Sequence, residues 1–155
     1  MANLLKFRPA ARRVIGRAVR AGFSPWMRWD DRMDYEHAKS PGVYVIAHLK
    51  RVPSGPANPL SSRVIYIGET GRSFRIRWSQ FHHSARGGQG HGGGDNYHKK
   101  FQEPREDLHV AALPIANLGR RNRKPFVKLL VKLYEDKLLC EYLLQHGRLP
   151  ACNKV

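Results

Sequence analysis

Three stretches of the chain carry the pattern of strands. Residues 42–49 (GVYVIAHL), 63–68 (RVIYIG) and 108–115 (LHVAALPI) are runs of apolar, β-branched and aromatic residues bounded by turn formers. Between the first two lies Pro53-Ser54-Gly55-Pro56-Ala57-Asn58-Pro59, a composition that reads as loop, so the pair is expected to form an antiparallel hairpin with a long connection. After Gly71 the period changes. Phe74, Trp78, Phe81 and Ala85 recur at i, i+4, i+7 and i+11, which predicts a helix with one buried stripe and Ser73 as its N-cap. Six glycines from Gly87 to Gly94 predict a mobile loop, and a short helix follows near Tyr97 to Gln102. The last helix opens at Pro125, runs to about His146 and stops at Gly147. The expected class is α/β: a small three-stranded antiparallel sheet flanked by helices.

Ahead of this body, residues 1–29 hold seven basic residues and no acid. Leu4, Leu5, Phe7, Ala11, Val14, Ile15, Ala18 and Val19 fall near helical spacing, so a basic amphipathic helix is expected within an extension over residues 1–40, before a domain at 41–155. A mitochondrial transit peptide is usually richer in serine. A helix that lies on lipid shares the pattern. A helix that touches nucleic acid or docks on the body is the favoured reading. Ser24-Pro25 ends it, and Trp26 and Trp29 are expected to pack it onto the body.

Composition then adds a partner class. Lys and Arg number 28 against 12 acids, a net charge of +16 in 155 residues. That balance points to a polyanion, because each neutralised phosphate releases condensed counterions. An anionic bilayer or RNA would exploit the same charge. No apolar run is long enough for a transmembrane helix, so no membrane partner is expected. Cys140 and Cys152 read as reduced thiols, which fits a cytoplasmic protein, nucleoid-associated if bacterial. His82, His83, His91, Cys140 and Cys152 lack zinc spacing.

The chemistry lies in the body. Tyr44 and Tyr66 on two strands, an arginine on the next helix and a carboxylate on the last form a set suited to cutting phosphodiesters. That reaction needs a base for water, positive charge at the phosphorus centre and a Lewis acid for the leaving oxygen. A phenol with a pKa near 10 is a poor base. A divalent cation and a guanidinium nearby favour the phenolate. Arginine's planar fork suits phosphate oxygens. A glutamate can hold one Mg²⁺ that keeps most of its waters.

Gly42-Val43-Tyr44, followed by Tyr66-Ile67-Gly68, resembles the signature of the GIY-YIG nucleases. Phage homing endonucleases, some restriction enzymes and an incision subunit of bacterial nucleotide excision repair belong to that family. The likeness continues through Phe74-Arg75-Ile76-Arg77-Trp78, through Glu135-Asp136-Lys137-Leu138-Leu139 and Tyr142, and ends at Pro150 and Asn153. It covers about residues 41–154. It implies a DNA endonuclease using Mg²⁺ or Mn²⁺ on duplex or branched DNA. Tyr44 and Tyr66 would flank the attacking water, one of them as general base.

Of Arg75 and Arg77, the resemblance favours Arg77, which also lies closer to the buried stripe. The family's usual histidine or tyrosine, four residues after that arginine, is here Phe81. His82 and His91 are the nearest replacements, and His91 is counted in the catalytic set. Glu135 is the first choice for the metal and Glu141 the second, with Lys137 one turn before Glu141. Asn153 would hold backbone or a substrate phosphate. Arg72, Arg75, His82, Arg120, Arg121, Arg123 and Lys124 are expected to contact DNA.

Two further patterns carry little. Gly88-Gln89-Gly90-His91-Gly92-Gly93 fits a dinucleotide fingerprint by letters, but no strand precedes it. Gly87-Gly88-Gln89 matches the tripeptide of peptide release factors, in flanks unlike theirs. The alternative to a nuclease is a binding module on the same fold with weak catalysis, and Phe81 is its best argument.

Overall fold

The computed structural model describes residues 22–115 and 123–154. The expected N-terminal helix, Arg120 and Arg121 lie outside the described residues. Four strands form one antiparallel sheet: β1 (Met27–Arg28), β2 (Gly42–His48), β3 (Val64–Thr70) and β4 (Leu108–Pro114). Their order across the sheet is β1-β4-β2-β3. A 3-10 helix, Trp29–Asp34, follows β1. The α-helices are α1 (Phe74–Ala85), α2 (Gly92–Phe101) and α3 (Arg123–His146).

Alternation along β2 divides the interior in two. Val43, Val45 and Ala47 face α3 and join Ile67, Val131, Leu138 and Tyr142. Tyr44 and Ile46 face α1 and α2 and join Tyr66, Phe74, Trp78, Phe81 and Tyr97. Both faces of the central strand are thus covered, which is why its sequence is nearly all apolar.

The expected three-strand sheet gains a fourth strand. β1 is two residues long, too short for any alternation to show, and it pairs Met27 with Val110 and Arg28 with His109 on the free edge of β4. Trp26 is buried on the α3 side and Trp29 on the α1/α2 side, so the tryptophans do fasten this segment to the body, one on each face.

The glycine run is also corrected. Residues 92–94 are the first turn of α2, not part of a mobile loop, and Gly93 and Gly94 are buried. A methyl group on Gly94 would stand 2.6 Å from the Phe81 carbonyl oxygen and from Ser84 Cβ. Glycine therefore lets α2 lie close against α1, and this packing outweighs the poor helix propensity of three successive glycines. The helices around it follow expectation: Ser73 Oγ accepts from the Ile76 N–H and caps α1.

β3 would be an open sheet edge, a liability that the C-terminal residues relieve. The Cys152 N–H donates to the Ile65 carbonyl at 2.7 Å, and the Tyr142 hydroxyl donates to the Val64 carbonyl at 3.2 Å. No helix among the described residues is long and apolar enough to cross a membrane. Both cysteines are free thiols, Cys140 exposed and Cys152 buried.

Candidate active site

β2 and β3 aim Tyr44 and Tyr66 to the same face of the sheet, with ring centroids 6.0 Å apart. Tyr44 sits opposite Gly68 in the ladder. A methyl on Gly68 would come within 2.5 Å of the Tyr66 ring and 2.8 Å of the Tyr44 ring. The glycine of the second tripeptide is thus the space in which the two rings meet. Tyr44 is fully buried, whereas Tyr66 lines an open cavity of about 440 Å³ at the β3 edge.

Arg77, on α1, is the arginine brought to this pair. It pulls both phenol pKa values down, but burial acts more strongly and pushes Tyr44 well above its usual value and Tyr66 up to about 12. The guanidinium acts in the expected sense, but burial outweighs it, and with these residues alone both tyrosines are phenols. The Nη1 of Arg77 donates to Gln80 Oε1 at 3.4 Å, and its buried Nε has no partner. Arg75 is spent elsewhere, donating from Nη2 to the Met33 carbonyl at an exposed position.

His91 brings beside Tyr44 a polar group that Phe81 cannot supply. Its Nδ1 accepts from the Gly94 N–H at 3.2 Å and so caps α2. That acceptance leaves the ring proton on Nε2, which then donates to the Tyr44 oxygen at 3.1 Å. Burial, helped by the charge of Arg77, lowers the His91 pKa to about 4, so the ring is neutral near pH 7. Phe81 packs on it edge to face, ring centroids 5.2 Å apart, as a buried apolar neighbour. His82 is on another side of α1, where its Nδ1 accepts from Trp29 Nε1 at 3.1 Å.

The opposite wall of the cavity comes from α3. Glu135 lines it with a side chain only 13% exposed, and its Oε2 accepts from Lys132 at 2.9 Å. Glu141 does not line it; its carboxylate pairs with Lys137 at 2.7 Å, one turn away. The two glutamates that the sequence left in competition are separated by the fold. Among the described residues no three His, Cys, Asp or Glu side chains gather into a metal site. A single carboxylate beside an open cavity of about 440 Å³ suits Mg²⁺, which keeps several waters and takes few protein ligands.

Asn153 also reaches the cavity, but its amide is already used. Its Oδ1 accepts from the Ile67 N–H at 2.9 Å and its Nδ2 donates to the Ile67 carbonyl at 2.8 Å. The asparagine expected to hold backbone or phosphate holds backbone: it closes the edge of β3. Asn96, from α2, ties the same tail by donating to the Cys152 carbonyl at 3.0 Å.

Two charged residues that interact with Glu135 escaped the sequence reading. Glu69, directly after Tyr66-Ile67-Gly68, has a buried Oε2 with no partner and a pKa raised by burial and by Glu135. It lines a second cavity, about 270 Å³, with Arg72 and Arg77. Lys132 is the other, and its spacing to Glu135 was the visible signal. Lys124 is exposed at the start of α3, which Arg123 opens. Gln89 lies in the turn between α1 and α2, lining a separate cavity with Ser84, His98 and Lys99.

No family model matches the chain, and neither a characterised protein nor a solved structure matches it.

Proposed function

We propose that the protein is a DNA endonuclease of the GIY-YIG type that hydrolyses phosphodiester bonds with the help of Mg²⁺ or Mn²⁺. The observation that carries this reading is the convergence at the β3 edge. Tyr66 and Glu135 line one open cavity from the two faces of the sheet, while Tyr44 and His91 are bonded to each other in the buried layer behind Tyr66 and Arg77 reaches the tyrosine pair from a neighbouring cavity. In this reading Tyr66, the tyrosine that lines the cavity, meets the attacking water. Tyr44 supports it from behind, its own oxygen fixed by the Nε2–H of His91. Arg77 neutralises the phosphate oxygens as charge builds on them. Glu135 would hold the cation, which supplies Lewis acidity at the phosphate. Because burial holds Tyr66 as a phenol at about 12, proton removal from water gets easier with rising pH, and cleavage should climb through the alkaline range.

Nicking of supercoiled plasmid in Mg²⁺, abolished by EDTA, tests the proposal directly. Arg77→Ala and Glu135→Ala should bind DNA and leave it intact. Cleavage that survives EDTA would sink the cation's part.

One observation favours a second reading, a nucleic-acid-binding module with little catalysis. Lys132 already sits on Glu135 at 2.9 Å and competes with any cation there. Salt-steep binding to DNA without cleavage of duplex, branched or single-stranded substrates is its signature.

A further inference from the structure

α3 packs on the sheet along one side only, through Val127, Leu130, Val131, Leu138 and Tyr142. Its opposite side is apolar too. Leu129 is 71% exposed and Leu144 78%, with Phe126, Cys140 and Leu143 also exposed and Leu133 half-buried between them. At 100° per residue, positions 126, 129, 133, 136, 140 and 144 form a single stripe along the helix. Isolated apolar residues on a surface are ordinary, but two apolar patches on one side of a helix, Phe126-Leu129-Leu133 and Cys140-Leu144 with only Asp136 between them, mark an interaction surface.

The stripe's own sequence selects its partner. About the midpoint between Asp136 and Lys137 it is self-complementary. Two antiparallel copies set Leu129 opposite Leu144, Leu133 opposite Cys140 and Asp136 opposite Lys137, each pair occurring twice, as a twofold axis requires. Along the stripe Lys132 and Lys137 are matched by Asp136 and Glu141, so this surface has no excess of positive charge. A polyanion or anionic bilayer would find little to grip here. In a chain of net +16, it is also a surface where two copies meet without strong repulsion. Asp136 and Lys137 have intrahelical partners, Lys132 and Glu141, which hold their side chains along the stripe's flanks.

We propose that the protein pairs with a second copy of itself through this stripe, the two α3 helices packing antiparallel about an axis between Asp136 and Lys137. Glu135 lies on the cavity side of the helix, so pairing leaves the cavity open in both copies. The inference does not depend on the nuclease reading.

Sedimentation velocity of the full chain over a concentration series tests it. A reversible dimer is expected, its fraction rising with concentration. Leu129→Glu with Leu144→Glu should weaken it at least about tenfold without lowering the melting temperature, since neither residue is in the core. Asp136→Lys alone should also weaken it, by placing lysine against Lys137 of the second copy. Asp136→Lys with Lys137→Asp should restore it, although that exchange breaks both intrahelical pairs. A monomer throughout, a dimer unmoved by the two glutamates, or a failed charge exchange overturns the proposal. So does a monomer whose melting temperature falls with Leu144→Glu, because the chain would then be covering its own stripe.

Discussion

The two faces of the sheet reach the candidate site by different physics. On the α1/α2 face the tyrosines and the histidine are buried among aromatic rings and are neutral beside the Arg77 guanidinium: Tyr44 and Tyr66 stay protonated and His91 stays unprotonated. On the α3 face the polar groups are ionised and partly wet, with Glu135 and Lys132 paired at the cavity wall. One face fixes geometry, through packing and helix capping. The other supplies charge that can exchange one partner for another. A site so divided is preorganised on one side and adjustable on the other.

Removing one member from each face should give the largest effect. Arg77→Ala and Glu135→Gln are each expected to lower DNA cleavage by about 10³-fold, the scale for losing one charge-stabilising group. DNA affinity and melting temperature should stay nearly unchanged. The faces then part company on titrating Mg²⁺: excess cation should recover some activity in Glu135→Gln and none in Arg77→Ala. If Mg²⁺ rescues both alike or neither, the division of labour is wrong.

The neutrality of the aromatic face sets the next effect. An exposed histidine titrates near 6.5, and His91 is held at about 4, so between those values the unfolded chain binds more protons than the folded one. The stabilisation is complete above about pH 6.5 and is lost as pH falls towards 4, up to about 3 kcal/mol for a shift of that size. Chemical denaturation at pH 7.5 and pH 4.5 measures it. His91→Asn keeps a capping side chain on α2 but removes this titration, and should flatten the pH dependence between 4 and 6.5. A slope equal to that of the unaltered protein would remove His91 from the account.

The sequence was legible where structure follows a period. The α1 stripe, the tyrosine strands and the span of α3 were all readable, because burial on one side of a helix or strand leaves a repeat. β1 was not, since two residues have no period. α2 was missed at its start because glycine argues for a loop locally, and the close approach of Phe81 and Ser84 is a tertiary fact. His91 could be suspected but not placed, since its position depends on that same approach. Glu69 followed a recognised tripeptide, yet only the fold shows that α3 brings Glu135 near it. Asn153 could be picked out as a candidate, but not its partner. Its partner is a backbone amide 86 residues away, a contact no local pattern encodes.

That contact gives the third prediction. Asn153→Ala removes two bonds and strands the N–H and carbonyl of Ile67 on the edge strand, so a loss of about 1–3 kcal/mol in folding stability is expected. If cleavage by the folded protein stays within a few-fold of normal, the residue belongs to the sheet and not to the chemistry. A large fall in rate at unchanged stability would return it to the catalytic set.

Glu141 gives the smallest effect and the sharpest contrast with Glu135 on the same helix. Its carboxylate is 40% exposed and pairs with Lys137, an i−4 neighbour that is itself 55% exposed. A pair this open is screened by water and contributes a few tenths of a kcal/mol, about the scale of exposed helical pairs. Glu141→Gln should therefore change stability by less than about 0.5 kcal/mol and leave cleavage and its Mg²⁺ dependence untouched. The two glutamates are six residues apart and were hard to rank as letters. What separates them is rotation about α3: one turns toward the tyrosine edge of the sheet and the other toward a lysine on its own helix. A Glu141→Gln protein that needs much more Mg²⁺ would mean that the helix turns its acidic side the other way, and that Glu141 holds the cation.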